Sequence, residues 1–181
     1  NTIYSAILLT NTSMFLKNFI IIFTMAGLTL SRLFIGPIIL FLMISLIFVI
    51  RYSDRGEKEL HKIEVGTPFG IIPAAKFALL YLFISVFTYF AKNYLGVIGV
   101  YASSIGGMVS TTSVTASMAS LYMAGEITGG VALTTLLLSV LFGTVSKVII
   151  VGTYDKELSK KMVIPFSVLS LTILIVALIT A

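Results

Sequence analysis

The sequence predicts an all-α, polytopic membrane protein with about six hydrophobic segments, the fourth of them broken or re-entrant. Three observations lead there. Of 181 residues, 58% are hydrophobic and only 10% charged, and the mean hydropathy is +1.11. A soluble domain carries about 25% charge and, at this size, keeps too much surface to hide so many apolar side chains. All seven acidic residues (Asp54, Glu57, Glu59, Glu64, Glu126, Asp155 and Glu157) fall outside the apolar runs. The runs are also continuous: Ile38-Ile39-Leu40-Phe41-Leu42-Met43-Ile44 does not alternate, as strands of a membrane barrel would over about ten residues.

A helix needs about 20 apolar residues to cross the hydrocarbon. The first segment runs from Ile3 to Leu28 and is interrupted only by Lys17; the second runs from Leu33 to Ile50. The charged stretch Arg51 to Gly66 is expected as a solvated loop. The third segment, Phe69 to Ala91, contains Lys76. Pro37, Pro73 and Pro165 fall in the first turns predicted for segments two, three and six, where a missing N–H costs little. Ile127 to Ser146, extending past Lys147 to Val151, forms the fifth segment, and Met162 to Ala181 the sixth. Residues 1–181 thus read as one transmembrane domain. Asn1 is not a Met, so the chain is expected to start inside a longer product, after processing or after a disordered start, and no signal peptide is seen in it.

The fourth segment is too long for a simple span. From Asn93 to Gly125, 33 residues carry no formal charge, and as a helix they would reach about 50 Å against about 30 Å of hydrocarbon. A break at Gly106-Gly107 would absorb the excess. The basic residues bear on the same point. Six simple crossings put Arg51, Arg55, Lys58 and Lys62 on one side and Arg32, Lys92, Lys156, Lys160 and Lys161 on the other, four against five. Re-entry of the fourth segment would move the last three across and make seven against two, the bias that cytoplasmic loops show. An unbiased topology, or one set by sequence upstream, is the alternative.

Three lysines lie inside the runs: Lys17, Lys76 and Lys147. Ionisable residues at membrane depth are costly and are functional candidates by default. These share one sign and have no acidic partner in the spans, which disfavours a proton relay or a hard-cation site. Lys147 and Lys76 stand near segment ends, where snorkelling to the interface would also explain them. Lys17 is nearer a segment centre and is followed by Asn18, so its face is expected toward protein or water. Ser110, Thr111, Thr112, Ser113 and Thr115 form a hydroxyl cluster able to replace hydration around a permeating solute. A helix restarting after Gly107 would add the positive end of its dipole. The competing reading is packing, since Gly106, Ser110, Ser113, Ser117, Ser120 and Ala124 form a small-residue stripe. Cysteine is absent and His61 is the single histidine, so no metal site and no cofactor is expected. No nucleotide-binding, metalloprotease or nucleophile motif appears, so no enzyme is expected. The net charge of +5 points to anionic lipid, not nucleic acid.

Several short motifs carry a resemblance. Gly66-Thr67-Pro68-Phe69 followed by Ala75-Lys76-Phe77-Ala78, then Leu95-Gly96, Gly106-Gly107-Met108-Val109-Ser110-Thr111-Thr112, Ser146-Lys147, and Ser13-Met14-Phe15-Leu16-Lys17 resemble the C-terminal membrane domain of unknown function that follows MgtC/SapB-like domains in prokaryotic membrane proteins. Many members carry Asp where this chain has its Ser/Thr cluster, a departure that weakens a metal-cation role. The resemblance implies a multi-pass protein of the prokaryotic plasma membrane, packed against an upstream membrane domain or as a homo-oligomer, with magnesium named by association only. Two functions remain open. One is an ion or small-solute transporter or channel with an anion-biased path along Lys17, Asn18, Lys76, Lys147 and the hydroxyl cluster. The other is a structural or regulatory module that binds a partner protein or lipid.

Overall fold

A computed structural model describes residues 2–52, 71–154 and 156–180, and these are helical apart from short turns. In chain order they form α1 (Thr2–Tyr52), α2 (Ile71–Leu95), α3 (Val97–Ala102), a 3₁₀ turn (Ser103–Gly106), α4 (Gly107–Met123), α5 (Gly129–Tyr154) and α6 (Lys156–Thr180). Five helical stretches are long and apolar enough to cross a membrane, the pattern of a multi-pass membrane protein. The charged stretch expected as a loop lies, beyond Tyr52, outside the described residues.

The six expected segments become five because the first two join. Residues 2–52 are one helical run, with a change of direction at Gly27, whose φ is 64° and ψ −159°. Only glycine reaches that region without a Cβ clash. The two arms of α1 lie side by side. Thr12 Oγ1 and Ser45 Oγ are 2.6 Å apart, and the rings of Phe15 and Phe41 stack at 5.1 Å. A straight helix would hold the first pair about 50 Å apart. Pro37 is therefore inside α1 and Pro165 inside α6, not in first turns. The expectation placed these starts at the first apolar residue, whereas helix continues through the polar ends, Arg32 in one case and Lys156 to Lys161 in the other. Interior prolines are tolerated in such helices, where neighbours satisfy the freed carbonyls.

Two further reversals shape the middle of the chain. At Gly96 (φ 61°) the backbone turns back on α2, and a Cβ on Gly99 would stand 2.1 Å from the Ala91 carbonyl oxygen. At Ser110 the backbone is extended, with φ −156° and ψ 99°. A Cβ on Gly106 would stand 3.3 Å from Val114 Cγ2, although eight residues of straight helix span about 12 Å. The chain thus folds back at Ser110. Gly106 and Gly107 themselves keep ordinary right-handed helical angles.

After the fold-back, α4 is the central element. Ser113 through Ala119 are all buried, wrapped by both arms of α1, by α2 and by α5. Ser85 of α2 donates to Ser117 Oγ at 3.0 Å, and Lys92, near the end of α2, pairs with Glu126, just past α4, at 2.5 Å. The two helices therefore run parallel and finish at the same end of the molecule. Small residues let α4 and α5 cross closely. A Cβ on Gly107 would meet the Ser139 carbonyl oxygen at 2.2 Å, and one on Gly143 would meet Thr111 Cγ2 at 2.6 Å. The large apolar side chains of α2 and α6, such as Phe83, Leu79, Leu171 and Leu178, point outward, as a lipid-facing surface requires.

Candidate functional site

Three helical faces meet at the Ser110 fold-back and leave a cavity of about 440 Å³. From the first arm of α1 come Thr10, Ser13, Met14 and Lys17; from α5 come Gly143, Ser146, Lys147 and Ile150. Each set follows i, i+3, i+4, i+7 spacing, which is one face of a helix. Between them lies the tip of the fold-back, residues 107 to 112, with Met108, Val109 and the hydroxyls of Ser110 and Thr112 on the wall.

The tip is organised as a helix start. Ser110 has the non-helical backbone of an N-cap, and its Oγ accepts the Ser113 N–H at 3.1 Å. This is the bond that Ser supplies at an N-cap, three residues ahead of the donor. The Ser110 and Ser113 hydroxyls are also bonded, at 2.9 Å. The helix that follows Ser110 thus presents its positive dipole end beside two lysines. On the neighbouring helix, Ser146 Oγ donates to the Met108 carbonyl at 3.1 Å and pins the tip to α5.

Lys147 does not snorkel. Its Nζ donates to Asn11 Oδ1 at 2.5 Å and lies 3.7 Å from Met14 Sδ. Asn11 is fully buried, and its Nδ2 has no partner among the described residues. Lys17, more exposed, completes the wall one turn beyond Met14. Two ammonium groups thus line one cavity, and no carboxylate lines it among the described residues. Among the described residues no group of three His, Cys, Asp or Glu side chains could hold a metal ion.

Of the residues singled out in the sequence, Lys17, Ser110, Thr111, Thr112 and Lys147 come together, with Gly107 beneath them. The others do not join. Lys76 is exposed on α2 and is not on the cavity wall, so the expectation that it would meet the hydroxyl cluster is corrected: its helix packs on the opposite flank of α4, through Ser85. Asn18 faces away, into a small apolar pocket between Phe15, Phe34, Phe41 and Thr115, where neither end of its amide has a partner among the described residues. Ser113 is buried beside the cap, and Thr115 turns its hydroxyl onto the Thr111 carbonyl at 2.8 Å. Gly106 packs against Ile84 on the far side. Sequence reasoning missed Thr10, Gly143 and Ser146 as wall residues. The signal was available, since Thr10 stands seven residues from Lys17, Gly143 four from Lys147, and Ser146 three from Gly143.

No curated protein and no solved structure matches the chain. A family model described as a domain of unknown function, DUF4010, matches residues 1–154. That match covers the two arms of α1, the Ser110 fold-back and all of α5, every element that builds the cavity, and the chain belongs to the DUF4010 family.

Proposed function

We propose that the chain forms a path for a small anion or anionic solute across the cell membrane, as a transporter or channel that makes and breaks no covalent bond. One observation carries this reading: Lys17 and Lys147 share a cavity with the capped helix start at Ser110, and no carboxylate on its described wall offsets them. Fixed positive charge in a low-dielectric cleft concentrates anions and opposes cations. A broken helix whose N-terminal end points into a cavity is a common way to bind anionic groups at membrane depth.

The topology that accompanies this reading has five crossings and one re-entrant hairpin. The arms of α1 cross separately, as the Thr12–Ser45 and Phe15–Phe41 contacts favour. Residues 97–123 enter and leave on one side, as the Lys92–Glu126 pair favours. Arg51, Arg55, Lys58, Lys62, Lys156, Lys160 and Lys161 then share a side, against Arg32 and Lys92, and the seven mark the cytoplasm. Lys147 stands seven residues from Tyr154, the end of α5, about 10 Å along the helix, so the cavity belongs to the cytoplasmic half. Irregular backbone such as that at Ser110 survives at this depth when it lines a cavity.

Flux into proteoliposomes tests the reading. The unmodified chain should pass anions in preference to potassium, Lys17→Met and Lys147→Met should each reduce that flux, and Lys76→Met should leave it unchanged. Absence of anion flux from folded protein would refute the path and leave a structural or regulatory role.

A further inference from the structure

We infer that the solute taken by the cavity is a dianionic oxyanion, with two negative charges carried on oxygen, in preference to a halide or a singly charged anion. The inference rests on the anion-path reading above and adds the charge and chemistry of the solute. Three features of the wall support it.

The first is charge. Lys147 is held by a neutral amide and a thioether, and Lys17 has no partner among the described residues. Two ammonium groups in a site of reduced dielectric repel each other, and a monoanion leaves one positive charge uncompensated. A dianion neutralises both. Each added ion pair is worth more here than in water, because Coulomb energy scales inversely with the local dielectric. The second is donor chemistry. The Thr112 hydroxyl, the two ammonium groups and the start of the helix offer hydrogens, whereas the Ser146 hydrogen is taken by the Met108 carbonyl. An oxyanion has several acceptor lone pairs to use them, whereas a halide gains nothing from their spread. The third is size. About 440 Å³ is the space of about 15 waters at roughly 30 Å³ each. That is ample for an oxyanion of several heavy atoms with part of its hydration. Met14, Val109 and Ile150 add apolar wall, on which a short carbon chain between two carboxylates would rest.

Two sources share this chemistry, an inorganic dianion and a small dicarboxylate, and the probes separate them. The full chain in lipid nanodiscs is titrated by calorimetry with sulfate, succinate, acetate and chloride at constant ionic strength. Sulfate or succinate should bind at least about tenfold more tightly than acetate or chloride, about 1.4 kcal/mol. A preference for succinate over sulfate identifies the dicarboxylate, and the reverse the inorganic ion. Lys17→Gln, on the more exposed of the two lysines, should erase the dianion advantage while acetate binding falls much less; Lys17→Arg should retain it. Lys147→Gln serves as the second variant, and thermal unfolding checks that each remains folded. Equal binding of acetate and sulfate, or a dianion preference that survives both Gln variants, overturns the inference while leaving an anion path possible. Binding of none of the four probes overturns it as well. Failure of the path itself would show separately, as absence of anion flux in proteoliposomes.

Discussion

Lys147 Nζ donates to Asn11 Oδ1 at 2.5 Å, across 136 residues of sequence. The bond ties the first arm of α1 to α5 and turns the Lys147 stem along the cavity wall, with Asn11 completely buried behind it. A hydrogen bond involving a charged group contributes about 1.5–3 kcal/mol, so Asn11→Leu should lower the unfolding free energy in detergent by about that amount. In a double-mutant cycle, Asn11→Leu with Lys147→Met should cost less than the two single changes summed, because neither group is then left without its partner. Strict additivity would show that the two residues are not coupled.

The fold-back at Ser110 separates a structural from an electrostatic contribution. Ser110→Ala removes the cap on the Ser113 N–H and should cost about 0.5–2 kcal/mol. Ser110→Asp keeps an acceptor at the cap but sets a negative charge between Lys17 and Lys147. Its expected signature is near-wild-type thermal stability with anion flux strongly reduced. Loss of flux in Ser110→Ala at unchanged stability, with Ser110→Asp active, would contradict the electrostatic account.

Close approach of α4 and α5 sets a third expectation. Gly107→Ala would place a Cβ 2.2 Å from the Ser139 carbonyl oxygen, a backbone atom that cannot swing aside. It should destabilise by about 1–3 kcal/mol, the range for overpacked sites. Gly143→Ala meets the Thr111 methyl at 2.6 Å and should show a smaller loss. Gly36→Ala has nothing within 4 Å and should be neutral or slightly stabilising, since Ala is the better helix former.

Topology is open to a direct measurement because the chain contains no cysteine, so introduced thiols report without background. Cysteines at Asn93 and Glu126 should react with a membrane-impermeant reagent from the same side of oriented vesicles, and one at Lys156 from the other. Labelling of positions 93 and 126 from opposite sides would rule out re-entry between them.

The half-buried ion pair between Lys92 and Glu126 should matter little for stability. Partly solvated pairs contribute about 0–1 kcal/mol, so Glu126→Gln is expected to shift the unfolding midpoint by no more than that.

The helix ends were not legible in the chain itself, whereas the helical character, an apolar length sufficient to cross a membrane and the need for a departure from straight helix after Asn93 were. They depend on local quantities: the length of charge-free runs, the absence of alternation, and the excess of 33 residues over one span. The chemistry of the site was half legible for the same reason, since a lysine in an apolar run is conspicuous wherever it folds. What local quantities could not supply was partnership. Lys76 and Lys147 look alike in sequence, one about two turns and the other about one turn from a segment end, yet one is exposed on α2 and the other is bonded to Asn11. The difference arises from which helix packs against α4 on which flank, a matter of distant residues. The paired glycines marked the right region, but the extended residue is Ser110, because Gly107 is needed where α4 presses on Ser139. Asn18, beside the predicted site in sequence, faces away because adjacent residues on a helix point about 100° apart. The cavity is a property of three helical faces brought together, and only the tertiary fold decides which faces those are.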